Sequence, residues 1–226
     1  MTPDISPRYR DAFLELRREY PGAVVSPSFL RQDLELDNNK STYKFNLLSE
    51  QAQPALPQRF LSRSDVFVAL MFGLFIFPED DDQKGREKLY TYPNPVAFSG
   101  GTPADLEVIY NGAMAVVVDN VTVTSNFWTR KFRQVPETQE RATYTLQEAG
   151  ANVAGAPAVA NDQQNPFDGL IEMPGRYKLF GRKKNEFRLE IPTYTGIDLD
   201  NATSGTTNKV ALILDGFLLE GIDNGV

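Results

Sequence analysis

The residues of this chain best suited to chemistry are carboxylates, and they gather in two places. Glu79, Asp80, Asp81 and Asp82 stand in a row, while Asp198, Asp200, Asn201 and Gly205 share one polar stretch, DLDNATSGTTN. Grouped carboxylate oxygens suit a hard cation such as calcium. The second stretch lacks the DxDxDG core and closing glutamate of a helix–loop–helix calcium loop. The first directly follows a very apolar run, where charge discourages edge-to-edge aggregation. Both read as solvated turns, and no metal is expected. Two carboxylates alone can run a glycosidase, but no spacing here singles out a pair.

The residue types that usually do the rest are missing. There is no cysteine and no histidine. That excludes disulfides, thiolate catalysis and cysteine metal sites, and removes the commonest general base and zinc ligand. No GxSxG, Walker A or GxGxxG motif occurs. The expectation is a chain with no catalytic residue and no cofactor, hence not an enzyme.

Cations cluster at Arg130-Lys131-Phe132-Arg133 and at Arg182-Lys183-Lys184. On one face they would meet phosphates or an acidic strip of another subunit; apart, they are ordinary turn and edge charges. The net charge of −7 argues against nucleic-acid binding by the whole surface and leaves a local contact open. A sugar-binding sandwich would show exposed aromatics. Trp128, the single tryptophan, and Tyr90 and Tyr92 are the candidates, with packing as the plainer reading. Asn120-Val121-Thr122 and Asn201-Ala202-Thr203 fit the glycosylation pattern by chance, since MTPDISPRYRD has no apolar signal core.

These groups need elements to position them. The dominant one is Val66–Phe77, VFVALMFGLFIF, twelve apolar or glycine residues. A membrane span needs about 20, so none is expected. Its β-branched and aromatic residues favour a long central strand covered on both faces, with a bulge or bend at Gly73. Upstream, Ser6-Pro7 starts a helix that Pro21-Gly22 ends. Tyr9, Phe13, Leu16 and Tyr20 line one face of it, which docks on its own domain or on a neighbouring subunit; we take these four as candidate assembly-interface residues.

Elsewhere a period of two prevails. Leu34 and Leu36, the turn Asp37–Lys40, and Tyr43, Phe45 and Leu47 read as a hairpin. A short helix is expected over Pro103–Asn111, and two strands around Asp119-Asn120 within Ala113–Phe127. Further strands fall at Thr129–Val135, Ala142–Leu146, Leu170–Met173, Tyr177–Phe180, Gly181–Thr195 and Val210–Leu219. Residues 148–165 are rich in Ala, Gly, Asn and Gln and form a long loop. The fold expected is mainly β: an antiparallel β-sandwich or jelly roll with a short N-terminal helix and long inserted loops. It divides as a helical arm, 1–22, and one sandwich domain, 23–226.

The segments FRQVPETQ, GRKKNEFRLEIP and NKVALILDGFLLEGI resemble those of jelly-roll virion structural proteins of bacterial viruses, and the general pattern extends from Ser26 to Ile222. The resemblance implies a capsid or other virion subunit that assembles with itself and with other virion proteins in the host cytoplasm. At this length it implies a single jelly roll. A carbohydrate-binding or other ligand-binding β-sandwich is the alternative.

Overall fold

The computed structural model describes residues 7–47, 61–82, 84–85, 87–134, 147–148, 151–152, 169–220 and 222. The apolar run becomes strand β3, Val66–Asp80, which continues through Pro78 into the acidic residues. Its side chains alternate between two environments. Phe67, Ala69, Phe72, Leu74 and Ile76 enter the main core, while Val66, Val68, Phe75 and Phe77 face the opposite side of the sheet. The alternation slips once, at Leu70, which has no partner in the ladder where Ala69 pairs with Gly216 and Met71 with Asp215. The bend expected at Gly73 is therefore at Leu70 instead. Gly73 is needed for space: a Cβ there would lie 2.7 Å from the Gly169 carbonyl oxygen.

Two four-stranded antiparallel sheets face each other. One has the order β1 (Val24–Glu35), β10 (Thr206–Glu220), β3, β8 (Ile171–Phe180); the other has β2 (Thr42–Asn46), β9 (Asn185–Glu190), β4 (Ala113–Val118), β5 (Val121–Trp128). Apart from the short pair β6–β7 (Gln147–Glu148 with Ala151–Asn152), only β4 and β5 are successive strands of one sheet; every other connection crosses the sandwich. This arrangement of eight strands is a jelly roll. The turn between β4 and β5 places Asp119 and Asn120 at φ 54° and 63°, as a tight hairpin turn requires.

Several local expectations change. Leu34–Leu47 is no hairpin, because β1 pairs with β10 and β2 with β9. Alternation only says that one face is buried, and two strands facing each other across a sandwich satisfy it as well as two side by side. Thr129–Phe132 is a 3-10 turn rather than a strand, and Phe132 is fully buried. The segments around Pro174-Gly175 belong to one strand, β8, whose ladder with β3 is interrupted between Glu172 and Tyr177. The short helix opened by Pro103 is a 3-10 helix, Asp105–Tyr110. Ser6, Ala142–Leu146 and most of 148–165 lie outside the described residues.

Candidate assembly surfaces

Helix α1 spans Pro7–Glu19. Proline suits the first position because that amide has no helical partner, and Arg17 and Arg18 in the last turn suit the helix dipole. The chain then turns through Gly22 at φ +99°. The apolar face lies on the outer side of the β10–β3 pair. Ala12 and Leu16 are buried with Val66, Val68, Leu70, Phe217 and Leu219, and Tyr9, Phe13 and Tyr20 pack around them. The rings of Tyr9 and Phe13 lie 5.7 and 5.8 Å from that of Phe217. All four candidate interface residues thus share one seat, and in the single chain that seat is its own sheet. Ion pairs Arg8–Glu172, Glu15–Arg176 and Glu19–Lys178 tie the helix to β8. Each is partly exposed and worth about 0–1 kcal/mol.

Beneath the helix the Tyr9 hydroxyl donates a hydrogen bond to Asp215. Burial pushes the Asp215 carboxyl above the usual carboxylate range, and the Tyr9 bond offsets this only in part. A carboxyl whose folded pKa is raised favours the folded state at low pH, and that contribution is lost as pH rises through the folded pKa. Asp215→Asn retains an acceptor for Tyr9 and cannot ionise. It should match the wild type in thermal stability at acid pH and exceed it at neutral pH, as melting curves across pH would show. Equal melting temperatures throughout would mean that Asp215 ionises without cost.

The second surface is the edge of the other sheet. The two four-stranded sheets have four edge strands: β1, β8, β2 and β5. β1 carries Pro27, Arg31, Asp33 and Glu35; β8 carries Glu172, Pro174, Arg176 and Lys178; β2 is short and carries Lys44. Prolines, charges and shortness keep an edge from unwanted pairing. β5, VTVTSNFW, has neither charge nor proline. It is irregular instead, with Val123 skipped in the ladder to β4 and Asn126 at φ 54°. Its inward side is anchored: Phe127 packs on Phe72 and Phe132, and Thr124 shares a hydrogen bond with Tyr177. Val121, Val123 and Trp128 are 62%, 42% and 58% exposed, but Val121 pairs with the core-facing Val118 while Trp128 pairs with Ala113 on the opposite face.

The charged clusters separate. Arg182–Lys184 form the β8–β9 turn, beside the β4–β5 turn, where Lys183 pairs with Asp119. Arg130–Arg133 follow the far end of β5, so the two groups do not share a face. Arg130 and Arg133 both bind Glu107, and Lys131 stands 5.0 Å from the Phe127 ring centre. Glu79 pairs with Lys209 and Asp81 with Lys84. Asn38 donates to both Asp198 and Asp200. Among the described residues no group of three His, Cys, Asp or Glu is placed to hold a metal. Tyr90 stacks edge-on against Tyr92 and Phe98, in the core rather than on an exposed platform. An open depression of ≈ 540 Å³ lies between Arg8, Phe127, Lys131, Ile171, Glu172 and Met173. No helix among the described residues is long and apolar enough to cross a membrane.

Sequence reasoning placed the α1 face and expected the two strands around Asp119-Asn120, but missed that β5 forms an exposed edge. The signal was available: of the four edge strands of the sandwich, VTVTSNFW is the one free of charge and proline, but which strands are edges follows from topology alone. Comparisons with protein-family models, curated proteins and solved structures find no match.

Proposed function

We propose that this chain is a structural subunit of a virus particle, of the kind made by bacterial viruses, which works by assembling with copies of itself and with other virion proteins. The observation that carries this reading is the jelly-roll strand order, with β1-β10-β3-β8 facing β2-β9-β4-β5. Jelly rolls are a recurrent solution for capsid domains, and they also serve lectins and cupins. What weighs towards assembly is the distribution of side chains. Most members of the charged clusters are taken up in local pairs, Tyr90 and Tyr92 turn inward, and three of the eight large apolar side chains most exposed among the described residues lie on the single edge strand β5. The particle is the place where such a subunit acts, and host cytoplasm is where it is made.

Electron microscopy and light scattering of the purified full chain test this. Closed shells, capsomers or another particle of fixed symmetry are expected. A protein that stays monomeric at every concentration, and that binds a glycan array, would replace the reading with that of a ligand-binding sandwich.

A further inference from the structure

We propose that copies of this chain associate head to tail, the basic end of one sandwich, around Arg182, seated on the acidic end of the next, around Asp82 and Asp200. The inference rests on the assembly reading and names the two surfaces that meet.

The strand order separates the charges. At the end where β8 turns into β9, residues 61–65, 119–120 and 181–184 carry four cations and two carboxylates. At the far end, residues 35–41, 79–90 and 198–209 carry nine carboxylates and four cations among the described residues. These counts include groups already paired, so the pairs Lys183–Asp119 and Lys209–Glu79 leave both imbalances standing. β3 runs from one end to the other, and its 15 residues span about 50 Å. At physiological salt the Debye length is about 8 Å, so within one chain neither end neutralises the other.

Each end is also braced into one platform. The Gly181 N–H donates to the Asp65 carbonyl at 2.9 Å and the Asp119 N–H to the Lys184 carbonyl at 2.8 Å, which ties the three basic-end turns together. At the acidic end Asn38 bridges Asp198 and Asp200, and the Asp81 N–H donates to the Gly205 carbonyl at 2.9 Å. Charges held in place before contact lose little freedom on association. Arg182 and the Asp82 carboxylate are exposed and have no partner among the described residues. Burial and the nearby Asp198 and Asp37 carboxylates push the Asp200 carboxyl above the usual range, a crowding of like charge that an incoming guanidinium relieves.

A second copy fits the basic end better than a nucleic acid does. Duplex binders commonly engage about 6–10 phosphates, and four cations interleaved with two carboxylates fall short of that. The contact joins unlike surfaces, so repetition builds a ring or a row rather than stopping at two copies.

The distance between the ends gives a clean test. A carbodiimide joins a lysine to a carboxylate only where they touch, so within one chain it cannot join Lys183 or Lys184 to Asp82 or Asp200. Mass spectrometry of the full chain, crosslinked under assembling conditions, should recover that link between copies, and about 1 M NaCl should abolish it. Arg182→Glu should weaken association at least about tenfold through the like charges it places together, with the melting temperature of the isolated chain unchanged. Glu35→Lys combined with Asp82→Lys should weaken it likewise, and an equimolar mixture of the two variant chains should restore it. Particles that form without the link would overturn the contact and leave the assembly reading standing. Linked oligomers that never grow into particles would uphold the contact and remove the reading of a shell, whereas a chain that stays monomeric would overturn both. Unchanged association of Arg182→Glu, with loss of duplex DNA binding in its place, would overturn the contact and assign the basic end to nucleic acid.

Discussion

Replacing Phe72 with Ala should destabilise the subunit by about 3–5 kcal/mol, the cost of emptying a packed aromatic site. Phe72 is 1% exposed on the inner face of β3, where the bulge at Leu70 has set it inward. Its ring lies 4.8 Å from that of Phe132, edge-on, and 5.1 Å from that of Phe127. It therefore joins the centre of one sheet to the edge strand and following turn of the other. Truncation would loosen both sheets from each other. Because single domains are stable by only about 5–15 kcal/mol, the loss would be a large share of the total. Urea unfolding of the dilute, unassembled chain measures it. Phe75, 6% exposed on the outer face beside Gly169, serves as the comparison and should cost less when cut to Ala. A change at Phe72 below about 1 kcal/mol would mean that the neighbouring rings close the gap, and that the two sheets do not depend on this contact.

The second large effect concerns the helix. Phe13→Ser combined with Leu16→Ser removes two of the side chains that hold α1 against Val66, Val68, Phe217 and Leu219. At about 1.5–3 kcal/mol for each side chain, the loss is about 3–6 kcal/mol if the helix rests on its own sheet. The ion pairs to β8 are too weak to hold it there unaided. A lowered unfolding midpoint in the isolated chain is the expected result, with the uncovered strip of β3 and β10 promoting aggregation. The opposite outcome is equally informative. A monomer of unchanged stability that no longer builds particles would place the helix on a neighbouring subunit in the assembly.

Strand existence was legible because burial imposes a pattern that side chains cannot hide. Phe187 and Leu189 alternate with charged residues, and Val210, Leu212 and Leu214 alternate with Ala211 and Ile213, which face the other side of the sheet; both stretches are strands. The long central strand followed from β-branched and aromatic content in a run too short for a membrane. Partnership was not legible. Nothing in LEL…TYKFNL says that the first half pairs with residues near 210 and the second with residues near 188. Bulges were hidden for a similar reason. Gly73 advertises freedom of the backbone, yet the ladder slips at Leu70, an ordinary core residue, and the glycine on the opposite strand, Gly216, accepts the slip: a Cβ there would stand 2.0 Å from the Val68 carbonyl oxygen. The face of α1 was visible from its spacing, while the surface it covers required the fold.

The strand order has a consequence for how the chain comes off the ribosome. β10 lies between β1 and β3 and pairs with both along nearly its whole length, from Val24↔Glu220 at one end to Asp80↔Thr206 at the other. It is also the last of these strands to be synthesised. At about 5–20 residues per second, on the order of 10–30 s pass between completion of β3 and completion of β10. Throughout that interval the most apolar strand of the protein waits beside an empty place in its sheet. Pairings this remote in sequence also form slowly once the segments exist. Nascent chains halted before residue 206 should therefore be the form that chaperones hold and that proteases find.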